Sequence, residues 1–346
     1  MKSLLKSAWV RLAITLSATL GAASAWAAPS CTQSVVSISI STPPGVSIPR
    51  DAPIGTAITG WLASEAATNW FNCVAAAGES TGVGIRALTA STGQTTVVDG
   101  ATYTVFSTAT EGVGVILSVR IHANGCGWGN FSAVTSATSW HARGCNSPGA
   151  VSNGGQLRTM YVKTGNITTG TVAPTAIAYA ASFTSVPGSP LTLEAGREFS
   201  FTAMAMLVAT QACRTPDVHV SLGEPKSSVF TGKGSSSNTV AFDFTLESCP
   251  AGMGAIHYQI DAVTPVLDAA NAVVALDGGS TATGVGVQLM DENGNPALLG
   301  TKRPFTGYTG AGGNFKIPLR ARYRQTGDKV TPGSANAAVT FTMNYL

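Results

Sequence analysis

Between Cys126 and Cys145 the chain carries Gly127, Trp128, Gly129, Asn130 and Phe131, then Trp140, His141, Ala142 and Arg143. Aromatic rings stack on the apolar faces of sugars, while amide, imidazole and guanidinium groups hydrogen-bond to hydroxyls. A disulfide between the two cysteines would fix such a loop in advance and lower the ordering cost of binding. Trp128, Asn130, Trp140, His141 and Arg143 are therefore the candidate ligand-binding residues. The alternative is that both tryptophans anchor a core and the polar groups are solvated. Trp61, Asn69 and Trp70 form a second aromatic cluster, which the neighbouring Cys73 marks as the more core-like of the two.

Other chemistry finds little support. Gly-x-Ser-x-Gly, His-Glu-x-x-His and Gly-x-x-x-x-Gly-Lys-Ser/Thr patterns are absent. His122, His141, His219 and His257 are too dispersed for a local metal motif, and no Cys-x-x-Cys occurs. Acidic residues sit beside turn glycines or at alternating polar positions, not as the paired carboxylates of a glycoside hydrolase. The sequence points to binding, with no enzyme activity, cofactor or metal expected.

The elements that must position the loop are strands. Val339, Phe341, Met343 and Tyr345 alternate with Thr340, Thr342 and Asn344; Phe315, Ile317, Leu319, Ala321 and Tyr323 alternate with polar residues, Pro318 and Arg320 among them. Val240, Phe242, Phe244 and Leu246 repeat the pattern. Period two marks strands with one face buried and one wet. Pro318 inside such a strand predicts an edge or a bulge. Turn clusters at 277–279, 292–296, 326–328 and 332–333 separate the strands, and many short strands spaced this way make an all-β sandwich fold. Phe199–Val208 reads as one final strand of a first half, and Ala262–Leu276 as a short helix or a long loop.

Lys2, Lys6 and Arg11 precede an apolar run from Leu12 to Ala23, and Ala25-Trp26-Ala27 supplies a small-x-small cleavage site. Residues 1–27 thus read as a signal peptide, with the mature chain starting near Ala28. Without that segment the chain holds 17 basic and 17 acidic residues. Zero net charge argues against nucleic acid as a partner. All six cysteines lie beyond the signal, and an even count in an exported chain implies disulfides. Spacing does not choose among the possible pairings; the consecutive one, 31–73, 126–145 and 213–249, is expected. Each bridge would close a loop of about 20 to 43 residues and contribute roughly 3–4 kcal/mol.

From Cys213 onward the chain resembles the pilin domain of type 1-like fimbrial subunits. The matching pieces are Val220-Ser221-Leu222-Gly223, Phe242-Asp243-Phe244-Thr245-Leu246 before Cys249, and Gly284-Val285-Gly286-Val287-Gln288-Leu289 with its Asp291-x-x-Gly294 turn. Arg320-Ala321-Arg322-Tyr323, Pro332-Gly333-x-Ala335-Asn336-Ala337 and a closing strand with Tyr345 next to last complete the ordered set. The first half is similar, more loosely, to the receptor-binding domain of two-domain tip adhesins of chaperone–usher pili. There Tyr103-x-Val105-Phe106-x-Thr108 followed by Gly112-Val113-Gly114-Val115 carries the likeness.

This resemblance implies a lectin-like adhesin domain over 28–209 and an incomplete immunoglobulin-like pilin domain over 210–346. It implies an apolar groove beside Val339, Phe341, Met343 and Tyr345, filled first by a periplasmic chaperone and then by the adjacent subunit's donor strand. The carboxylate of Leu346 would meet chaperone cations. The implied partners are that chaperone, an outer-membrane usher, a neighbouring pilin subunit and a host surface glycan. The implied location is the pilus tip on the bacterial cell surface, reached through the periplasm. The alternatives are a protein-binding adhesin, a minor tip subunit that initiates or caps assembly, and a secreted carbohydrate-active enzyme.

Overall fold

The structure, a computed structural model, describes residues 28–346; the signal peptide expected over 1–27 lies outside them. Among the described residues every element is a strand except a single 3-10 turn at Ser227–Val229.

The first half is built from two facing sheets and a small third one that orders Gly170–Val172, Met206–Gln211 and Gly45–Pro49. One of the facing pair runs Ser30–Gln33, Ala67–Ala75, Gly149–Lys163, Val113–Ala123, Ala101–Ser107 and Ser91–Val98 in spatial order. The other runs His141–Asn146, Ser80–Ala87, Thr175–Ser185, Thr192–Ala203 and Ser37–Ile40. Their inward residues meet in one core, where Trp70 stands edge-on to Phe199 and Phe201 at 5.5 and 5.4 Å between ring centroids. Such interdigitation of inner faces holds a β-sandwich together. The long central strands are also covered on their outer face. Tyr103, Val105, Ile116, Met160 and Val162 form a small satellite core there, under Trp61, Val98 and Ala133.

The second half has its own core, drawn from Cys213 to Tyr345 and separate from the first. One sheet orders Val240–Cys249, Gly313–Gln325, Val285–Asp291, Val273–Val274 and Val266–Asp268; the other orders Arg303–Pro304, Ile256–Ala262 and Val339–Tyr345. The three disulfides join Cys31 to Cys73, Cys126 to Cys145 and Cys213 to Cys249, the consecutive pairing.

Several local expectations are refined. The single strand expected over 199–208 is two, Thr192–Ala203 and Met206–Gln211. The second leaves the five-stranded sheet and pairs in parallel with Gly45–Pro49, so its buried side chains change partners at the break. The ambiguous stretch 262–276 holds neither a helix nor one long loop. It forms the short pair Val266–Asp268 and Val273–Val274, with the Asp268 carboxylate accepting from the Asn271 N–H and side-chain amide. Pro318 lies one residue past the end of the Val285–Asp291 ladder, where its strand pairs on one side only, so its missing N–H breaks no inner ladder.

Candidate functional site

The segment between Cys126 and Cys145 crosses from one sheet to the other. Gly127–Trp128 pairs with Ala123 and His122, Ser132–Ala133 with Val119 and Ser118, and His141–Asn146 with the Ser80–Ala87 strand of the opposite sheet. The crossing separates the two tryptophans. Trp128 is 39% exposed and lies beside His122, with ring centroids 5.2 Å apart. Trp140 turns to the five-stranded sheet, edge-on to Phe183 at 5.6 Å and beneath the Arg86 guanidinium at 4.9 Å. The two candidate tryptophans are therefore not brought together, because backbone pairing carries each toward a different sheet.

The polar residues of the segment divide in the same way. Arg143 Nη1 donates to the carbonyls of Ile121 and Gly127 at 2.8 and 2.7 Å, and Nη2 to that of Cys126 at 3.3 Å. It clamps the Trp128 turn from behind, and these donors are no longer free for a ligand. His141 Nε2 is 2.9 Å from Ser132 Oγ and ties the strap to the strand beneath. Asn130 remains exposed beside Trp128. His122, half-buried, is held below its ordinary pKa by burial and then by the Arg143 charge, which keeps it neutral under Trp128 at physiological pH. From the second sequence cluster, Trp70 is wholly buried, while Trp61 reaches the outer face and donates from Nε1 to Asp99 Oδ2 at 3.0 Å.

Two residues that sequence reasoning passed over share this outer face. Arg120 and Arg158 stand on neighbouring central strands and alternate with apolar residues that point into the core. The Arg120 guanidinium lies 4.8 Å from the Trp128 ring and 5.1 Å from Phe131; that of Arg158 lies 4.3 Å from Phe131 and 4.1 Å from Trp61. The available signal was an arginine set against buried apolar neighbours in each strand, Val119-Arg120-Ile121 and Leu157-Arg158.

In the second half the closing strand Val339–Tyr345 is laddered on one edge only, to Ile256–Ala262. Bonds alternate in an antiparallel pair, so the N–H and C=O groups of Val339, Phe341 and Met343 point away from that ladder, as those of Tyr345 do. Beyond this free edge lies a groove of 1100 Å³, bounded on its far side by residues 215–224, which join no strand. Phe242, Phe244, Leu289 and Tyr323 line it, and Phe341 stacks flat on Phe244 at 4.1 Å between centroids. Val339 and Phe341 are half-buried at its rim, whereas Met343 and Tyr345 pack into the core. Leu346 pairs with Ala255, donating to its carbonyl at 2.9 Å and accepting from its N–H at 3.1 Å.

These features coincide with a family match: residues 199–346 fit the fimbrial protein family. A type-1 fimbrial protein subunit of Serratia marcescens is 33% identical over 136 residues, covering 38% of this chain and 76% of the subunit. The chain belongs to the fimbrial protein family. A type 1 fimbrial subunit of Salmonella typhimurium is 32% identical over 142 residues, 38% of this fimbrial chain and 72% of its own length. Among solved structures, the CupB6 tip adhesin of Pseudomonas aeruginosa aligns over 91% of this chain and 93% of its own, at 15% identity and a TM-score of 0.38.

The two halves of the fimbrial chain meet at the end of the free edge. Asp51 N–H donates to the Tyr345 carbonyl at 3.0 Å, Tyr345 N–H donates to Asp51 Oδ2 at 2.9 Å, and Arg50 Nη2 donates to the Met343 carbonyl at 2.6 Å. Arg50 also lies over the Tyr345 ring at 4.9 Å, and Lys163 Nζ holds the Arg50 carbonyl at 2.6 Å. Burial alone would raise the Asp51 pKa. The Arg50 hydrogen bond, the Tyr345 N–H and the charges of Arg50 and Lys163 outweigh it and hold the carboxyl below its ordinary value. A carboxyl lowered by folding stabilises above its unfolded pKa, about 3.9, and loses that contribution as pH falls through the folded value. Asp51→Asn should therefore lower the melting temperature by a constant amount above about pH 5, and the gap should close in stronger acid. A gap unchanged down to about pH 2 would sink this assignment.

Proposed function

We propose that this fimbrial protein is a tip adhesin of a chaperone–usher pilus, with a receptor-binding domain over 28–209 and a pilin domain over 210–346 that takes a donor strand. The observation that carries this reading is the unpaired edge of Val339 and Phe341 above an apolar groove, the edge from the Met343 carbonyl onward being held by Arg50 and Asp51. Unpaired backbone groups at such a site cost about 1–3 kcal/mol each when water is excluded, so a strand laid between this edge and residues 215–224 would satisfy them. Strand addition of this kind supplies main-chain bonds for affinity and pockets for alternate side chains. A periplasmic chaperone would lend the strand first, an outer-membrane usher would pass the chain on, and the N-terminal arm of the adjacent subunit would replace it. The protein would then stand at the cell surface in the fimbrium.

The adhesin part of the reading rests on the first sandwich, most of which precedes the family match, and on its exposed Trp128 and Asn130. Aromatic and amide groups on a disulfide-held turn suit a host-surface glycan. Phe341→Asp places a charge on the groove rim. The variant chain should be missing from sheared, purified fimbriae while the first domain keeps its native disulfides. Incorporation at the wild-type level would refute the groove assignment. Trp128→Ala should leave pili intact and abolish cell attachment; attachment at the wild-type level would remove Trp128 from the site.

A further inference from the structure

We infer that the outer face of the first sandwich binds an acidic sugar through Arg120 and Arg158, with Trp128, Phe131 and Trp61 as its stacking walls. This deepens the glycan-adhesin reading and rests on it. Each guanidinium is flanked by two aromatic rings, Arg120 by Trp128 and Phe131, Arg158 by Phe131 and Trp61. With the guanidinium faces covered by these rings, a ligand must reach the N–H donors from their edges.

Those edges are largely unspent. A guanidinium has five N–H donors. Within the protein Arg120 uses Nε on Gln156 Oε1 at 2.9 Å, and Arg158 uses Nη2 on Tyr103 Oη at 3.4 Å. Arg158 Nε is buried with no partner. Neither arginine takes part in any of the ion pairs among the described residues. Asp99, an acidic group next to this face, accepts from the Trp61 indole and pairs with neither guanidinium.

Two partly buried cations on adjacent strands, held by aromatic faces and without a carboxylate partner, present a site that an anion completes. A planar carboxylate fits the guanidinium fork by paired N–H···O bonds, and the pyranose that carries it can lie against Trp128 or Trp61. The chemistry specified is thus a sugar acid, such as a sialyl or uronyl residue, not a neutral hexose.

The test uses the full-length protein, immobilised and probed with sialyl- and glucuronyl-terminated oligosaccharides, their carboxyl methyl esters and the neutral parent sugars. Capture of an acid and not of its ester is expected. Arg120→Gln and Arg158→Gln should each weaken it at least about tenfold, with melting temperatures kept as the folding control. Arg120→Lys keeps the charge without the fork and should fall between wild type and Arg120→Gln. Equal binding of acid and ester, or undiminished binding by both glutamine variants, overturns the acidic-sugar inference and leaves the glycan adhesin standing. Failure to bind any sugar of either charge overturns both.

Discussion

Replacing Trp70 with alanine is expected to destabilise the first sandwich by about 3–5 kcal/mol. Trp70 is the largest wholly buried side chain there, and its ring locks the Ala67–Ala75 strand of one sheet to Phe199 and Phe201 of the other. Alanine would leave a cavity where Trp70 meets Phe199 and Phe201. Trp70→Phe is expected to behave differently. The indole Nε1 is buried without a hydrogen-bond partner, a cost that phenylalanine removes while keeping most of the packing. Its loss should stay below about 1.5 kcal/mol. The measurement is convenient because Trp61, Trp70, Trp128 and Trp140 are the only tryptophans beyond residue 27. Intrinsic fluorescence in a urea titration therefore follows this half alone. The alanine variant should unfold at a urea concentration lower by roughly 1–2 M. Equal midpoints for the two variants would show that the ring is not what joins the sheets.

The second large effect belongs to a single glycine in the pilin-like half. Gly284 opens the Val285–Asp291 strand with φ of +75°, a region that side chains disfavour. A β-carbon there would press into the Lys329 carbonyl. The Gly284 carbonyl in turn accepts the N–H groups of Thr326 and Gly327 at 2.8 and 3.0 Å, so the two turns are tied and neither can back away. Gly284→Ala should cost about 3 kcal/mol, the sum of left-handed strain and a forced backbone shift. Because Val285–Asp291 lies beneath the groove, the variant should also accumulate less in fimbriae than wild type. An unchanged thermal midpoint would refute the contact. The glycine-to-alanine change at Gly294, whose φ is +84° with no atom nearby, supplies the comparison: strain without collision, and roughly 1 kcal/mol.

Strand periodicity was legible in the sequence because each alternating set reports the face that meets a core. Val240–Cys249, Gly313–Gln325 and Val339–Tyr345 all lie where alternation put them. What alternation could not report is which sheet a strand joins. That is why 199–208 read as one strand, when its end crosses to pair with Gly45–Pro49. The same blindness affected the site. Trp128 and Trp140 share a loop in sequence, but pairing to Val113–Ala123 and to Ser80–Ala87 draws their ends apart. Arg120 and Arg158 are 38 residues apart along the chain and become neighbours only through the ladder between their strands. Arg143 looked like a ligand contact because residue type alone cannot distinguish a guanidinium facing solvent from one spent on three carbonyls.

The contact between Asp51 and Tyr345 spans 294 residues of sequence. Domains fold as units around their own cores. The two halves can therefore form separate cores and all three disulfides before Asp51 meets Tyr345, so this contact reports the docking of one half on the other and not the folding of either.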